Sequence, residues 1–155
     1  MSSVSIQAVS RVFETAKGQR TQALQPVDFE VRDNDFVTIL GPSGCGKSTL
    51  LRIVAGLDHA TSGRVLLDGM PVEGPGADRG MVFQSYTLFP WLTIEQNIRF
   101  GLREKGTPEV QQYERAAYFI AKAGLRGCEQ PFPKPLSGGM HHRTAISRAP
   151  ANDPN

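Results

Sequence analysis

The sequence predicts an α/β fold organised around one strand–loop–helix unit, and three observations lead to it. An apolar run of β type, Phe36-Val37-Thr38-Ile39-Leu40, enters the segment Gly41-Pro42-Ser43-Gly44-Cys45-Gly46-Lys47-Ser48-Thr49. A helical pattern follows, with Leu50, Ile53, Val54 and Leu57 on one face. Alternating apolar residues near the start read as strands, whereas the later half carries helical periodicities.

Gly41, four residues, Gly46, Lys47 and Ser48 match the P-loop pattern that cradles nucleotide phosphates. Three glycines let the backbone turn tightly and point several N–H groups inward as an anion nest. Lys47 adds a compact positive charge for the outer phosphates. Ser48 offers a hydroxyl to a phosphate-bound Mg²⁺, an ion that takes few protein ligands and keeps several waters. The following helix aims its free N–H groups and partial positive charge at the same place.

The elements follow in order. Val4, Ile6, Ala8, Val9 and Val12 predict a strand over residues 4–12, ended by Phe13. Residues 14–22 form a polar connection with Gly18 as its turn residue. Val27, Phe29 and Val31 alternate as a second strand, and Arg32-Asp33-Asn34-Asp35 is a tight polar turn. These two strands read as an antiparallel flap. Residues 64–69 predict a strand entering a turn, and residues 71–80, with Gly74, Gly76 and Gly80, a connector. Gly80-Met81-Val82-Phe83 predicts a short strand ending at Gln84. Residues 85–92 form a loop with Tyr86, Phe89 and Trp91 as exposed aromatics. Thr93-Ile94-Glu95-Gln96 is a capping box opening a helix with Ile94, Ile98 and Leu102 on one face. Pro108 starts another helix, its face read as Val110, Tyr113, Ala117, Ile120 and Gly124. A proline-rich linker (Pro131, Pro133, Pro135) delivers Ser137, placed to N-cap a helix through about Ala149, which Pro150 ends.

The totals bound the partners. A chain of 155 residues, 39% hydrophobic and 21% charged, suits one ordinary globular domain. A net charge of +2 on scattered Lys and Arg gives no argument for nucleic acid. Cys45 and Cys128 make neither a disulfide framework nor a metal site. No apolar run is long enough to span a bilayer, and the polar start Met1-Ser2-Ser3-Val4-Ser5 carries no signal peptide. Membrane association is therefore expected to go through a partner, with no direct lipid insertion.

Residues 41–49, Gln84 and Leu136-Ser137-Gly138-Gly139-Met140, in that order and with a helical insert between, resemble the nucleotide-binding subunit of an ABC transporter. The resemblance covers about residues 4–155. It implies a P-loop NTPase core with a mostly parallel sheet, incomplete here, an antiparallel β flap and a helical insert. The implied divisions are about 1–84, 85–136 and 137–150. It implies ATP and Mg²⁺ as cofactors. Gly41, Pro42, Ser43, Gly44, Cys45 and Gly46 would wrap the phosphates, Lys47 contact the β- and γ-phosphates, and Thr49 the α-phosphate region. Ser48 and Gln84 would reach Mg²⁺, and Gln84 would sense the γ-phosphate. Phe13 would stack on adenine, with a strand-end core aromatic as the alternative reading of that residue. Ser137, Gly138, Gly139 and Met140 would close on the ATP of a second subunit in a head-to-tail dimer. A permease subunit would dock between Tyr86 and Ile98, holding the chain at the cytoplasmic face of the membrane; an unassembled chain would be soluble in the cytoplasm.

A finer resemblance comes from Glu73-Gly74-Pro75-Gly76-Ala77-Asp78-Arg79-Gly80-Met81-Val82-Phe83-Gln84 with Leu88-Phe89-Pro90-Trp91-Leu92. This wording is similar to that of importers for nitrate, taurine and aliphatic sulfonates, and implies uptake of a small anion driven by ATP hydrolysis.

The chain also departs from that pattern. No apolar strand ending in Asp-Glu, the Walker B motif, follows the signature, and no switch histidine stands beyond it. His141 and His142 lie directly after the signature, where relatives carry polar residues such as Gln, and read as helix-surface substitutions. A proline inside a helix costs about 3 kcal/mol, so Pro150 is unfavourable where a helix would continue. The sequence therefore reads as a C-terminally incomplete copy with no catalytic residue assigned. The alternative reading is a non-catalytic remnant that binds ATP or pairs with an intact subunit. A GTPase is disfavoured because no Asn-Lys-x-Asp guanine-reading sequence occurs.

Overall fold

In a computed structural model, residues 3–85, 87–134 and 136–151 are described, and Tyr86 and Pro135 lie outside them. The chain divides into two units, one up to Arg79 and one from Gly80 onward.

The first unit holds β1 (Val4–Glu14), β2 (Arg20–Val31), α1 (Lys47–Val54), β3 (Ser62–Leu67) and β4 (Met70–Pro71). Its sheet runs β2-β1-β3-β4, every pair antiparallel. The expected flap is in place: Ile6 stands opposite Phe29 on one side and Val65 on the other. The β1–β2 turn closes through Gly18, whose N–H donates to Thr15 O at 2.8 Å with φ of 77°.

Strict alternation along β1 does not hold. Ala8 takes a φ of 48°, and the register shifts between Ile6 and Val9 against β2. The extra residue is a β-bulge, and it turns Val9 rather than Ala8 into the core. Asp28 locks the bulge by accepting the Ala8 N–H at 2.6 Å. Gly63, with φ of 75°, lies so close beneath the Gln7 and Ala8 carbonyls that no side chain fits. Ile6, Val9, Leu24, Leu50, Ile53 and Val65 form the core of this unit, pressing α1 onto the sheet.

Two predicted strands are not ladder elements. Residues 36–40 and 80–83 make no strand pairing among the described residues, and Phe36 and Leu40 are 95% and 86% exposed. A strand exists through its ladder bonds, and an apolar run without a neighbour forms none. The helix after the loop is also shorter than its apolar pattern. It ends at Val54, with Gly56 in the left-handed region at φ of 73°, leaving Leu57 half-exposed. The connector expected from Pro71 loses its first residue to β4, which pairs with β3 across the Asp68-Gly69 turn.

The second unit is helical: α2 (Ile94–Glu104), α3 (Glu109–Lys122) and α4 (Gly138–Ala151). Ile94, Ile98, Ala116, Ile120, Leu125 and Ala151 form its core. The capping box is realised in both directions: Gln96 N–H donates to Thr93 Oγ1, and Thr93 N–H to Gln96 Oε1. The proline-rich linker completes the cap, because Ile94 N–H donates to Pro131 O and Glu95 N–H to Glu129 O, both at 3.1 Å. With Asn97 N–H on Thr93 O, all four opening donors of α2 are satisfied.

The buried face of α3 is Gln112, Ala116 and Ile120, one position round from the expected stripe. Val110 is 68% exposed, and half-exposed Tyr113 instead receives the Arg99 guanidinium 3.5 Å above its ring. That guanidinium also reaches Glu95 at 3.0 Å and Gln112 Oε1 at 3.2 Å, so polar ties replace apolar packing on this side. The last helix runs to Ala151, past the expected end, with Pro150 inside its final turn. Ala151 is fully buried, which offsets the missing proline N–H.

Asn97 is fully buried and holds the loop before α2. Its Oδ1 accepts Phe89 N–H at 2.8 Å, and its Nδ2 donates to the carbonyls of Phe89, Leu92 and Thr93 at 2.9–3.1 Å. Asn97→Ala strands several of these buried groups, at about 1–3 kcal/mol for each one left unpaired. Chemical denaturation of the variant is expected to show a loss of at least about 2 kcal/mol.

Candidate phosphate-binding site

The loop at residues 41–49 is built from behind. Leu50 and Ile53, each 4% exposed, anchor α1 against Ile6, Leu24 and Val65, which leaves the opening turn of the helix at the surface. Gly46 is its N-cap with φ of 97°, and no side chain caps the helix. Among the described residues, the N–H groups of Gly44, Gly46, Lys47, Ser48 and Thr49 carry no hydrogen bond. These five donors lie in and just before the first turn of a helix that has no acidic residue there. That arrangement suits a polyanion.

Two glycines are required by geometry. A methyl group at Gly46 would lie 2.6 Å from Ala23 O and 2.9 Å from Leu24 Cδ1, so the loop can approach β2 only without a Cβ. Gly44, at φ of 82°, faces open space, and a left-handed backbone there suits glycine. Lys47 Nζ donates to Gly41 O and Pro42 O, both at 2.7 Å, and sits 3.5 Å from Cys45 Sγ. The ammonium is thus pinned at the start of the loop by two carbonyls rather than by a carboxylate. The Ser48 hydroxyl is at the surface, while Thr49 is half-buried. N–H donors, one ammonium and one hydroxyl fit a nucleotide phosphate chain, with the metal taking its other ligands from phosphate and water. Among the described residues, no group of three His, Cys, Asp or Glu could hold a metal ion alone.

Phe13 lies near the end of β1, 43% exposed and outside the core, with the Arg11 guanidinium 4.6 Å from its ring centroid. Arg11 is itself paired to Asp58 at 2.7 Å. Gln84 belongs to the second unit, where it is exposed in a bend. The signature residues open α4: Ser137 Oγ and O both accept from Met140 N–H, at 3.4 and 3.0 Å. Among the described residues, Gly138 and Gly139 keep unbonded N–H groups, and a Cβ at Gly139 would meet nothing within 4 Å.

His142 is exposed, as expected of a surface substitution, but His141 is half-buried, its Nε2 2.6 Å from Pro133 O. It ties the linker to α4. Sequence reasoning also missed Asn97 and Arg148. The first had a signal, being four residues after a capping threonine; the second, which donates to Thr87 sixty-one residues away, had none.

The family described as ABC transporter matches residues 24–155. The chain is 54% identical to an uncharacterized ABC transporter ATP-binding protein of Methanocaldococcus jannaschii, over 96% of its own length and 55% of the relative. It is 46% identical to a nitrate import ATP-binding protein of Synechocystis sp., over 94% and 54% of the two chains. A taurine import ATP-binding protein of Roseobacter denitrificans is 43% identical, with 100% and 58% covered. The chain thus spans little more than half the length of these curated relatives. Among solved structures it is similar to an ATP-binding cassette in a dimeric post-hydrolysis state bound to ADP and Pi, at a TM-score of 0.89 and 32% identity, covering 97% of this chain and 70% of that one. The α/β fold is therefore that of ABC ATPase cassettes.

Gly46→Ala places a methyl group against Ala23 O and adds left-handed strain of about 1–2 kcal/mol. Thermal unfolding is expected at lower temperature, and phosphate-chain binding should weaken. Gly139→Ala, in open space, is expected to leave stability within about 0.5 kcal/mol in the same melt.

Proposed function

The chain belongs to the ABC transporter family, and on that footing we propose that it is the ATP-binding part of an importer subunit, coupling ATP binding and hydrolysis to uptake of a small anion. One observation carries the reading. Among the described residues, five main-chain donors of the loop stand unpaired at the start of α1, with Lys47 beside them. Gly41, Pro42, Ser43, Gly44, Cys45 and Gly46 wrap the phosphate chain, Lys47 turns from the loop carbonyls to the β- and γ-phosphates, and Thr49 meets the α-phosphate. Ser48 and Gln84 approach Mg²⁺, and Phe13 stacks on the base. The names of the nitrate and taurine import relatives support the substrate class.

The partners follow from the same reading. Among the described residues, Gly138 and Gly139 at the start of α4 keep a second set of unbonded donors, and a second ATP-binding subunit, head-to-tail, would supply the phosphate that Ser137, Gly138, Gly139 and Met140 meet. The dimeric cassette at TM-score 0.89 supports this. A permease subunit docks between Tyr86 and Ile98, where Trp91 is 68% exposed, an aromatic anchor of the kind interfaces favour. The chain is then peripheral at the cytoplasmic face of the membrane. Among the described residues no helix is long and apolar enough to cross one.

A second reading is an ATP-binding chain without turnover of its own. It draws on the same observation, because the main-chain donors of residues 44–49 and Lys47 are groups that bind phosphate. Positioning and charge stabilisation carry phosphoryl transfer, and the residues present supply the phosphate-binding share.

Titration calorimetry with MgATP tests the proposal. The chain is expected to bind saturably, and Lys47→Ala to weaken binding by roughly tenfold to a hundredfold, the worth of hydrogen bonds to a charged group. Absence of saturable binding by the unaltered chain would overturn the reading. Phosphate release separates the two versions: turnover supports the first, and binding without turnover supports the second.

A further inference from the structure

The last turn of α4 carries a half-buried cation that the proposed chemistry does not use. Arg148 Nη1 donates to Thr87 O at 2.8 Å, and Nη2 to Thr87 Oγ1 at 2.9 Å, so both arms of the guanidinium close on one residue. The same group lies 5.3 Å from the centroid of the Phe89 ring. Among the described residues it has no carboxylate within ion-pair distance. Burial pushes the guanidinium below its ordinary value, the mark of a charge held where solvent is scarce. A lysine could donate to the carbonyl but could not form the fork.

What the fork grips is a well-organised loop. Phe89 packs between Trp91, at 5.4 Å, and Phe100, at 4.5 Å, and Asn97 fastens Phe89, Leu92 and Thr93 from α2. Trp91 stands at its outer side, 68% exposed. At its other end, α4 begins with Gly138 and Gly139. Ten residues at 1.5 Å each separate Gly138 from Arg148, roughly 15 Å along a single rigid rod. Arg143, midway, fixes that rod to α3 by donating to Ala123 O and Gly124 O.

We propose that Arg148 is a positioning residue whose fork clamps the exposed 87–92 loop to α4, so that the signature helix and the loop move as one body. Displacement at Gly138 and Gly139 is then delivered to Trp91 through Arg148 and Thr87, and displacement of the loop is delivered back. The meaning of the two ends rests on the proposed function; the clamp itself does not.

Trp91 is the only tryptophan of the chain, so its emission reports this loop alone. Without nucleotide, Arg148→Ala is expected to lower Trp91 anisotropy and raise acrylamide quenching. Arg148→Lys should recover part of both, and Thr87→Val should shift both in the same direction by less. Helical circular dichroism identifies variants that fold, and Thr87→Val, which leaves α4 untouched, keeps the test open should Arg148→Ala fail to fold. Unchanged anisotropy and quenching in a folded Arg148→Ala or Thr87→Val chain would overturn the clamp. MgATP binding, measured separately, decides the proposed function, so failure of one is distinguishable from failure of the other.

Discussion

Everything at the candidate site depends on one arrangement: the first turn of α1 is held from behind and left open in front. Leu50 and Ile53 bury their side chains against Leu24, Ile6 and Val65, and Gly46 lets the main chain pass close to Ala23 O. Hydrophobic burial supplies the anchor, and the missing Cβ supplies the approach. The donors at the front then need no ordering when a phosphate chain arrives, because the sheet has already ordered them. The β1 bulge belongs to the same arrangement. By turning Val9 inward, it adds that side chain to the core cluster that also holds Leu50 and Ile53 of α1.

The helix N-termini show how the chain separates scaffold from site. The start of α2 is fully satisfied by Thr93, Gln96 and two linker carbonyls, so it has nothing to offer a ligand. The starts of α1 and α4 are glycine-rich and keep N–H groups unbonded among the described residues. An unpaired donor is tolerated at a surface where water or an anion can meet it, and costs free energy where neither can. The contrast within one chain gives the unpaired donors of α1 their functional weight.

Much of this was legible in the sequence, because it rests on local chemistry. The capping box at Thr93 and the antiparallel pairing of the flap strands rest on residues close in sequence, and the structure places them as expected. The misses have a common cause. Residues 36–40 and 80–83 have strand composition, but a strand is made by its neighbour, which no local pattern supplies. The face of α3 shifted because Arg99, from another helix, took Tyr113 as a ring partner and Gln112 as an acceptor. His141 and Arg148 make bonds to Pro133 and Thr87 that only the folded chain brings near. Features that rest on one continuous segment could be read; ties made by long-range polar contacts could not.

The central claim is that the main-chain donors of residues 44–49 receive a phosphate chain. An amide-resolved NMR titration of the chain with MgATP tests it most directly. The account predicts that the amide signals of Gly44, Gly46, Lys47, Ser48 and Thr49 move together with one saturation curve. Signals that stay still at these positions, while the rest of the spectrum reports binding elsewhere or none, would contradict it.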